Sequence, residues 1–503
     1  MNRHTFLALA GATSLAECAA GKTAIGAQST ALSPLERASR PDFTVRIVSA
    51  NVEVSPGHVV RTTTYGGIVP GQTLRMREGV PVTVDVFNDT DAVNVIHWHG
   101  QIVPPAVDGV IELGTPPVPA HGSRRYHFVP KPRGTRWYHS HVDSGKNTDR
   151  GAFSGEFGFV IVEPQNDPGR YDREVLLALH EWEPHLVTMT GHGEGLPSLA
   201  QPAMGMAGGN TGGMMSGPMS GGMMNGGAMS AEMMKMPMLE ADYRLFSVNG
   251  RALGHGEPVR VRTGERVLLR VLNASATLTH RLALPGHRFT VVALDGNPVP
   301  TPRTVDAIEL GAAERVDAIV EMNQPGVWVL GSTSARYRAA GLGIVFAYAD
   351  HSGSPVWRDP RSLAPWLYRS FGRQASRDVV PAGRQELVLR QVMGTRNTWT
   401  MNGRSYPKAA PITVARGKRY RIAFRNMSMM EHPMHLHGHV FELASVDGIS
   451  ASGVLKDVVV VRPMMGRVEI DVVADNPGTF LLHCHNALHM DGGMATTLSY
   501  LDT

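Results

Sequence analysis

The stretch VPVTVDVFN (80–88) alternates apolar with polar or charged side chains and closes on an Asn. That is the period of a strand with one buried face, not of a helix. The pattern returns as RVLLRVLN (266–273) and KRYRIAFRN (418–426), and a Gly stands nine positions before the closing Asn each time: Gly79 and Asn88, Gly264 and Asn273, Gly417 and Asn426. The longer segments 65–88, 248–273 and 401–426 share a turn, an apolar strand, that Gly and a second strand. Three copies of one unit, in a chain with 55 Gly and 34 Pro to supply turns, predict an all-β protein of three sandwich or barrel domains. The length of 503 residues agrees, since one domain usually takes roughly 100–200.

A second element follows each copy. RGTRWYHSH (133–141), QPGVWVLGST (324–333) and NPGTFLLHCH (476–485) each run from a Gly through an apolar strand to a triplet. The triplets are His139-Ser140-His141, Gly331-Ser332-Thr333 and His483-Cys484-His485. Nine positions beyond the closing Asn stand His97 of HWHG, Leu282, and His435 of HLHG. The outer repeats therefore carry matched histidine pairs, and the middle one carries none.

On a strand, residues i and i+2 share a face, so each His-X-His presents two imidazoles together. Four pairs supply His97, His99, His139, His141, His435, His437, His483 and His485. Were the outer domains to meet through these faces, the rings would enclose one polynuclear metal site. Nitrogen donors without carboxylates suit copper better than calcium, magnesium or manganese, with zinc as the competing metal. Cys484 favours copper, because its side chain lies on the face opposite His483 and His485, within reach of His489 and of His432 from HPMHLHG. Two His, one Cys and a weak axial Met make a blue-copper set; Met494 is the axial candidate and Met490 a second. Ser140 occupies the thiolate position of the first repeat, so only the last domain is expected to hold this mononuclear site. The eleven other histidines past the N-terminal segment, His287 and His439 among them, read as surface or hydrogen-bonded structural groups.

The first residues, MNRHTFLALAGATSLAECAA, have a positive start, a short apolar run and then small residues, as in an export signal, expected over 1–28. RHTFL resembles a twin-arginine signal with His4 for the second arginine, and LAEC a lipoprotein box interrupted by Glu17. The route stays open between twin-arginine-like and general secretory export, with lipidation at Cys18 a further alternative. The expected location is the periplasm. No other apolar run is long enough to span a membrane, and the mature protein is expected to be a monomer without an integral span. Removal of the signal would leave Cys484 as the sole cysteine, excluding an intrachain disulfide. A net charge of +4 without a Lys/Arg block argues against nucleic acid as a partner.

HWHG, HSH, HPMHLHG and HCHNALHMDGGM, in this order, resemble the four copper signatures of three-domain multicopper oxidases, the laccase and bacterial cuprous oxidase family, from about Asp42 to the C-terminus. The resemblance implies cupredoxin-like Greek-key domains, placed at 40–165, 172–350 and 386–503, with 351–385 as a linker. It implies four copper ions per chain: type 2 on His97 and His435; a type 3 pair on His99, His139 and His485 and on His141, His437 and His483; and type 1 on His432, Cys484 and His489 with Met494. Electrons from a small-molecule or Cu(I) donor would pass through Cys484 to the three-copper cluster, where dioxygen becomes water. Asp108 of PPAVDG matches the acid that bacterial relatives place near the cluster for proton delivery, with an Asp in a turn beside Gly109 as the alternative. Met490 stands where some relatives carry a second proton-handling Glu.

Residues 204–238, MGMAGGNTGGMMSGPMSGGMMNGGAMSAEMMKMPM, form a low-complexity insert within the middle domain. Thioethers favour Cu(I), and Met214, Met215, Met223, Met224, Met233 and Met234 would offer them in pairs; a linker with tolerated or sacrificial methionines is the alternative. Met430 of NMSMMEHPMHLHG aligns with a methionine that cuprous oxidase relatives use for Cu(I), while their accompanying Asp is Ser428 here, leaving Glu431 or an insert methionine as a substitute. Three functions follow: a cuprous oxidase serving copper tolerance, a laccase-like oxidase of phenols or aromatic amines, or a methionine-rich copper store.

Overall fold

The computed structural model describes residues 40–144, 147–164, 170–190, 237–360, 363–373 and 380–501. Strand makes up about 51% and helix 6%, so the class is all-β, as the alternation predicts. The strands form three consecutive pairs of sheets. The first pair comprises His58–Tyr65, Phe43–Ser55, Val82–Asn88 and Ser123–Phe128 facing Gly71–Arg77, Phe157–Glu163, Gly134–Ser140 and Ile96–His99. Val84, Val86 and Tyr126 of one sheet meet Leu74, Trp98 and Val160 of the other in a buried core. The middle pair has six and five strands, and the last has a larger sheet opposite the five strands Ile412–Val414, Ala495–Tyr500, Thr479–Cys484, His432–Leu436 and Val458–Val461.

The repeated Asn has a physical task. Each is buried at the end of its strand and fastens the loop leading to the next strand, which in the outer domains carries a histidine pair. Asn88 Nδ2 donates to the carbonyls of Ala92 and Pro119, Asn273 Nδ2 to those of Leu278 and Leu310, and Asn426 Nδ2 to those of Met430 and Arg462. Each Oδ1 accepts the main-chain N–H two residues on, from Thr90, Ser275 and Ser428. The equivalent glycines, Gly79, Gly264 and Gly417, turn the chain at φ of 76°, 84° and 76°, where a Cβ would be strained.

The middle repeat departs from the spacing read in the sequence. In the outer domains the residue nine beyond the Asn faces the first member of the triplet, His97 opposite His139 and His435 opposite His483. In the middle domain Leu282 faces Ser332, and Ala283 faces Gly331. The loop after Asn273 is effectively one residue longer, so Ala283 is the true counterpart of His97 and His435.

The segment expected as a linker carries buried Trp366, Tyr368 and Phe371, which join the cores of the middle and last domains. The final two residues of the methionine-rich insert, Pro237 and Met238, begin the strand Pro237–Asp242, which forms a two-stranded ribbon with His185–Thr190. Met214, Met215, Met223, Met224, Met233 and Met234 lie outside the described residues. Among the described residues, no helix is long and apolar enough to cross a membrane.

Candidate metal centre

Domains 1 and 3 meet through their histidine-bearing strands, and all eight paired imidazoles converge there. His97 Nε2 lies 3.3 Å from His435 Nε2, His437 Nε2 lies 3.1 Å from His483 Nε2, and His99 Nδ1 lies 3.4 Å from His139 Nε2. Ligating atoms fall into sets within 4.8 Å of one another: His97, His99 and His435; His99, His139 and His485; His141, His437 and His483. Six rings are fixed by donating from the nitrogen that faces away. His97 Nδ1 donates to the Asp108 carbonyl (2.5 Å), His437 Nδ1 to Asp108 Oδ2 (2.8 Å), and His435 Nδ1 to the Asp457 carbonyl (2.8 Å). His139 and His483 donate to the carbonyls of Ser140 and Cys484 (2.9 Å each), and His99 Nε2 to Asp457 Oδ1 (3.1 Å). Each inward nitrogen is thereby left with its lone pair, the orientation that outer partners impose on metal-binding histidines.

Burial disfavours the imidazolium throughout. It pulls His139 down to about 3 and His141 to about 4, and holds the other six well below the ordinary value. Neutral rings at physiological pH are ready ligands. His141 Nε2 and His485 Nε2 are buried without a hydrogen-bond partner, which a cation would satisfy. Nitrogens 3.1–3.4 Å apart match two donors on one ion at roughly 2.0 Å each. The donor set fits a polynuclear metal group.

A second set lies on the other face of the same strand. Cys484 Sγ is 3.7 Å from His432 Nδ1 and 3.5 Å from His489 Nδ1, and the two nitrogens are 3.1 Å apart. Asn486 caps the short helix Ala487–Asp491 by accepting from the N–H groups of Leu488 and His489, turning His489 back towards Cys484. The ring of Trp399 covers His489 at 4.0 Å. Ser428 Oγ lies 2.8 Å from His432 Nε2 and fixes that ring from outside. Burial draws His432 down to about 3 and pushes the Cys484 thiol up. Met494 is fully buried, its carbonyl accepting from the Cys484 N–H. Met490, the second axial candidate, instead lines a cavity of about 30 Å³ with His139, His141, His483 and His485; consecutive helical residues point about 100° apart, so it cannot share the direction of His489.

Asp108 closes the helix Pro105–Asp108 and is buried beside His97 and His437, with Oδ1 lacking a partner. Gly109 permits this approach, because a Cβ there would sit 2.4 Å from His97 Cα. Met430 is partly buried on the core near His432, while Glu431 faces inward, where burial raises its carboxyl to about 7.

Over 513 residues the chain is 32% identical to the multicopper oxidase MmcO of Mycobacterium tuberculosis, covering 98% of this chain and 95% of the relative. The chain belongs to the multicopper oxidase family. Models of that family, each described as multicopper oxidase, match residues 47–167, 208–348 and 379–502. Copper resistance protein A of Escherichia coli is 28% identical, with 90% of this chain and 91% of that protein covered. The crystal structure of a multi-copper oxidase from Pseudomonas thermotolerans superposes with a TM-score of 0.64 at 25% identity, covering 92% and 100% of the two chains. This multicopper oxidase is thus a copper-dependent oxidoreductase that uses oxygen, built from three cupredoxin-like domains.

Several residues around the multicopper oxidase centre escaped the sequence reading. Asp457 serves both His99 and His435, Arg315 of the middle domain grips Asp457, and Trp399 shields His489. Met464 and Met465 are 57% and 54% exposed, and their N–H groups donate to the carbonyls of Ser428 and Asn426, which flank Met427. Only the Met-Met pair had a signal in the sequence; the others are single residues far from any motif.

Proposed function

We propose that this multicopper oxidase couples one-electron oxidation of Cu(I), and also of phenolic donors, to four-electron reduction of dioxygen to two waters, in the service of copper tolerance. The observation that carries the proposal is the tripeptide His483-Cys484-His485, whose side chains belong to three donor sets, the two histidines to sets within the histidine cluster and Cys484 to the set on the opposite face. Residues fall to four copper ions as follows: His432, Cys484 and His489 with Met494 as type 1; His97 and His435 as type 2; His99, His139 and His485, and His141, His437 and His483, as type 3. When bound, the copper ions supply the electron acceptance and the oxygen reduction.

The chain supplies the connections. Cys484 is the electron conduit, joined to its neighbours by peptide links and by the bond from His483 to the Cys484 carbonyl. Asp108 is the residue placed to hand over protons, since burial raises its carboxyl above the usual range and Oδ1 has no hydrogen-bond partner. The small cavity beside His139 and His141 has room for a water-sized molecule.

Cu(I) as substrate is supported by Met430, by exposed Met464 and Met465 nearby, and by the ribbon that carries the insert. That ribbon rests on the loop before Trp399, with Leu239 N–H donating to the Arg396 carbonyl at 2.9 Å. Copper resistance in a relative's name points the same way. Ser428, committed to His432 where cuprous oxidase relatives have Asp, favours the laccase-like reading instead. The N-terminal pattern supports export to the periplasm.

The copper-loaded protein is expected to be blue and to consume oxygen with Cu(I) and with a methoxyphenol. Deletion of 204–236 should lower kcat/KM for Cu(I) and spare the phenol. Unchanged Cu(I) kinetics would remove the insert from the mechanism, failure to turn over Cu(I) at all would leave the laccase-like reading, and a colourless zinc protein would refute the whole proposal.

A further inference from the structure

Among the described residues the middle domain contributes nothing to the four proposed copper sets, yet its Arg315 ends at the metal centre. This guanidinium is fully buried and forks onto Asp457 of the last domain, Nη1 to Oδ1 at 2.7 Å and Nη2 to Oδ2 at 2.6 Å. Arg136 of the first domain adds Nη1 to Oδ2 at 3.2 Å. Asp457 Oδ1 in turn accepts from His99 Nε2 at 3.1 Å. Of the six rings held by outer acceptors, His99 alone turns Nδ1 inward, and the acceptor holding its other nitrogen is Asp457.

The clamp is built from all sides. Asp295 of the middle domain accepts the N–H groups of Val458 and Arg315 and pairs with Lys456 at 2.9 Å, fixing the main chain on both sides of Asp457. Lys456 also meets Glu314 at 2.9 Å. Arg136, Arg315 and Lys456 thus balance Asp295, Glu314 and Asp457 in one buried cluster. Gly100, next to His99, leaves space for the fork: a Cβ there would stand 2.6 Å from Asp457 Oδ2 and 2.9 Å from Arg315 Nη2.

We infer that Arg315 is a positioning residue for the three-copper cluster, acting through Asp457 to hold His99 with Nδ1 towards the type 3 pair. This rests on the assignment of His99 to that pair under Proposed function. A fork–fork contact fixes the carboxylate plane in a way a point charge cannot, and loss of an outer partner typically weakens metal binding about 10–100-fold.

The test compares copper-loaded full-length wild type with Arg315→Met, Arg315→Lys and Glu314→Gln, by copper content after dialysis against a chelator, blue absorbance and electron paramagnetic resonance. Arg315→Met should keep the blue centre, lose type 3 copper about 10–100-fold more readily, and show a new paramagnetic signal where the coupled pair was silent. Arg315→Lys should fall between it and wild type, and it carries the test if the methionine variant does not fold. Glu314→Gln removes a charge from the same cluster without touching the fork and should keep the pair silent. Full copper with a silent pair in both arginine variants, or an equal loss in Glu314→Gln, would overturn the inference. A wild type lacking a silent copper pair would instead refute the assignment of His99.

Discussion

At Cys484 the buried thiol is pushed up by desolvation, so the sulfur ionises only with a cation beside it. Its side chain shares a set with His432 and His489 and not with the eight paired histidines. Cys484→Ser is therefore expected to abolish the blue colour and remove one copper per chain while the rest stay bound, checked by metal analysis and a visible spectrum. A different kind of histidine sits in the middle domain. His287 is buried, with Nε2 2.7 Å from the Tyr348 hydroxyl, and burial lowers it below the ordinary 6.5. Between those two values the unfolded chain binds more protons than the native one, so this contribution is complete above about 6.5 and is lost as pH falls. In His287→Gln, the melting temperature should fall less steeply than in wild type between about pH 7 and pH 5. His439 repeats this arrangement with Tyr500 in the last domain. Both were readable as structural histidines, because neither belongs to a His-X-His repeated at matched positions.

Strands were the most legible level, because alternation and the Asn–Gly spacing report local constraints that each copy must satisfy alone. The middle register was not legible, since one extra residue after Asn273 costs nothing where no ligand has to be aimed. Nor was the clamp: Arg315 and Asp457 are 142 positions apart, and Asp457 and His99 are 358 apart, so only the folded chain brings them together. Another contact between elements is equally silent in sequence. The strand Gly134–Ser140 begins against the turn at Gly296, where a Cβ on Gly296 would stand 2.5 Å from Thr135 N, with φ already at 69°. Gly296→Ala should cost about 1–3 kcal/mol, read as a lower denaturation midpoint, with the copper signatures of the folded fraction preserved.

For the whole molecule, the metal centre doubles as a joint. The first domain supplies His97, His99, His139 and His141, and the last supplies His435, His437, His483 and His485, so copper bound between them, as proposed, would stabilise only the assembled form. Removing copper with a chelator is expected to lower the melting temperature, and reloading should restore it. If the apoprotein and the loaded protein melted together, the ions would not be bridging the domains. Each of the proposed copper sets also draws on a residue beyond position 431. A chain truncated before His432 therefore has no complete set to offer. Redox-active metal is thereby reserved for chains that carry the last domain, and fragments without it would dilute a copper-loaded preparation without adding to its blue colour.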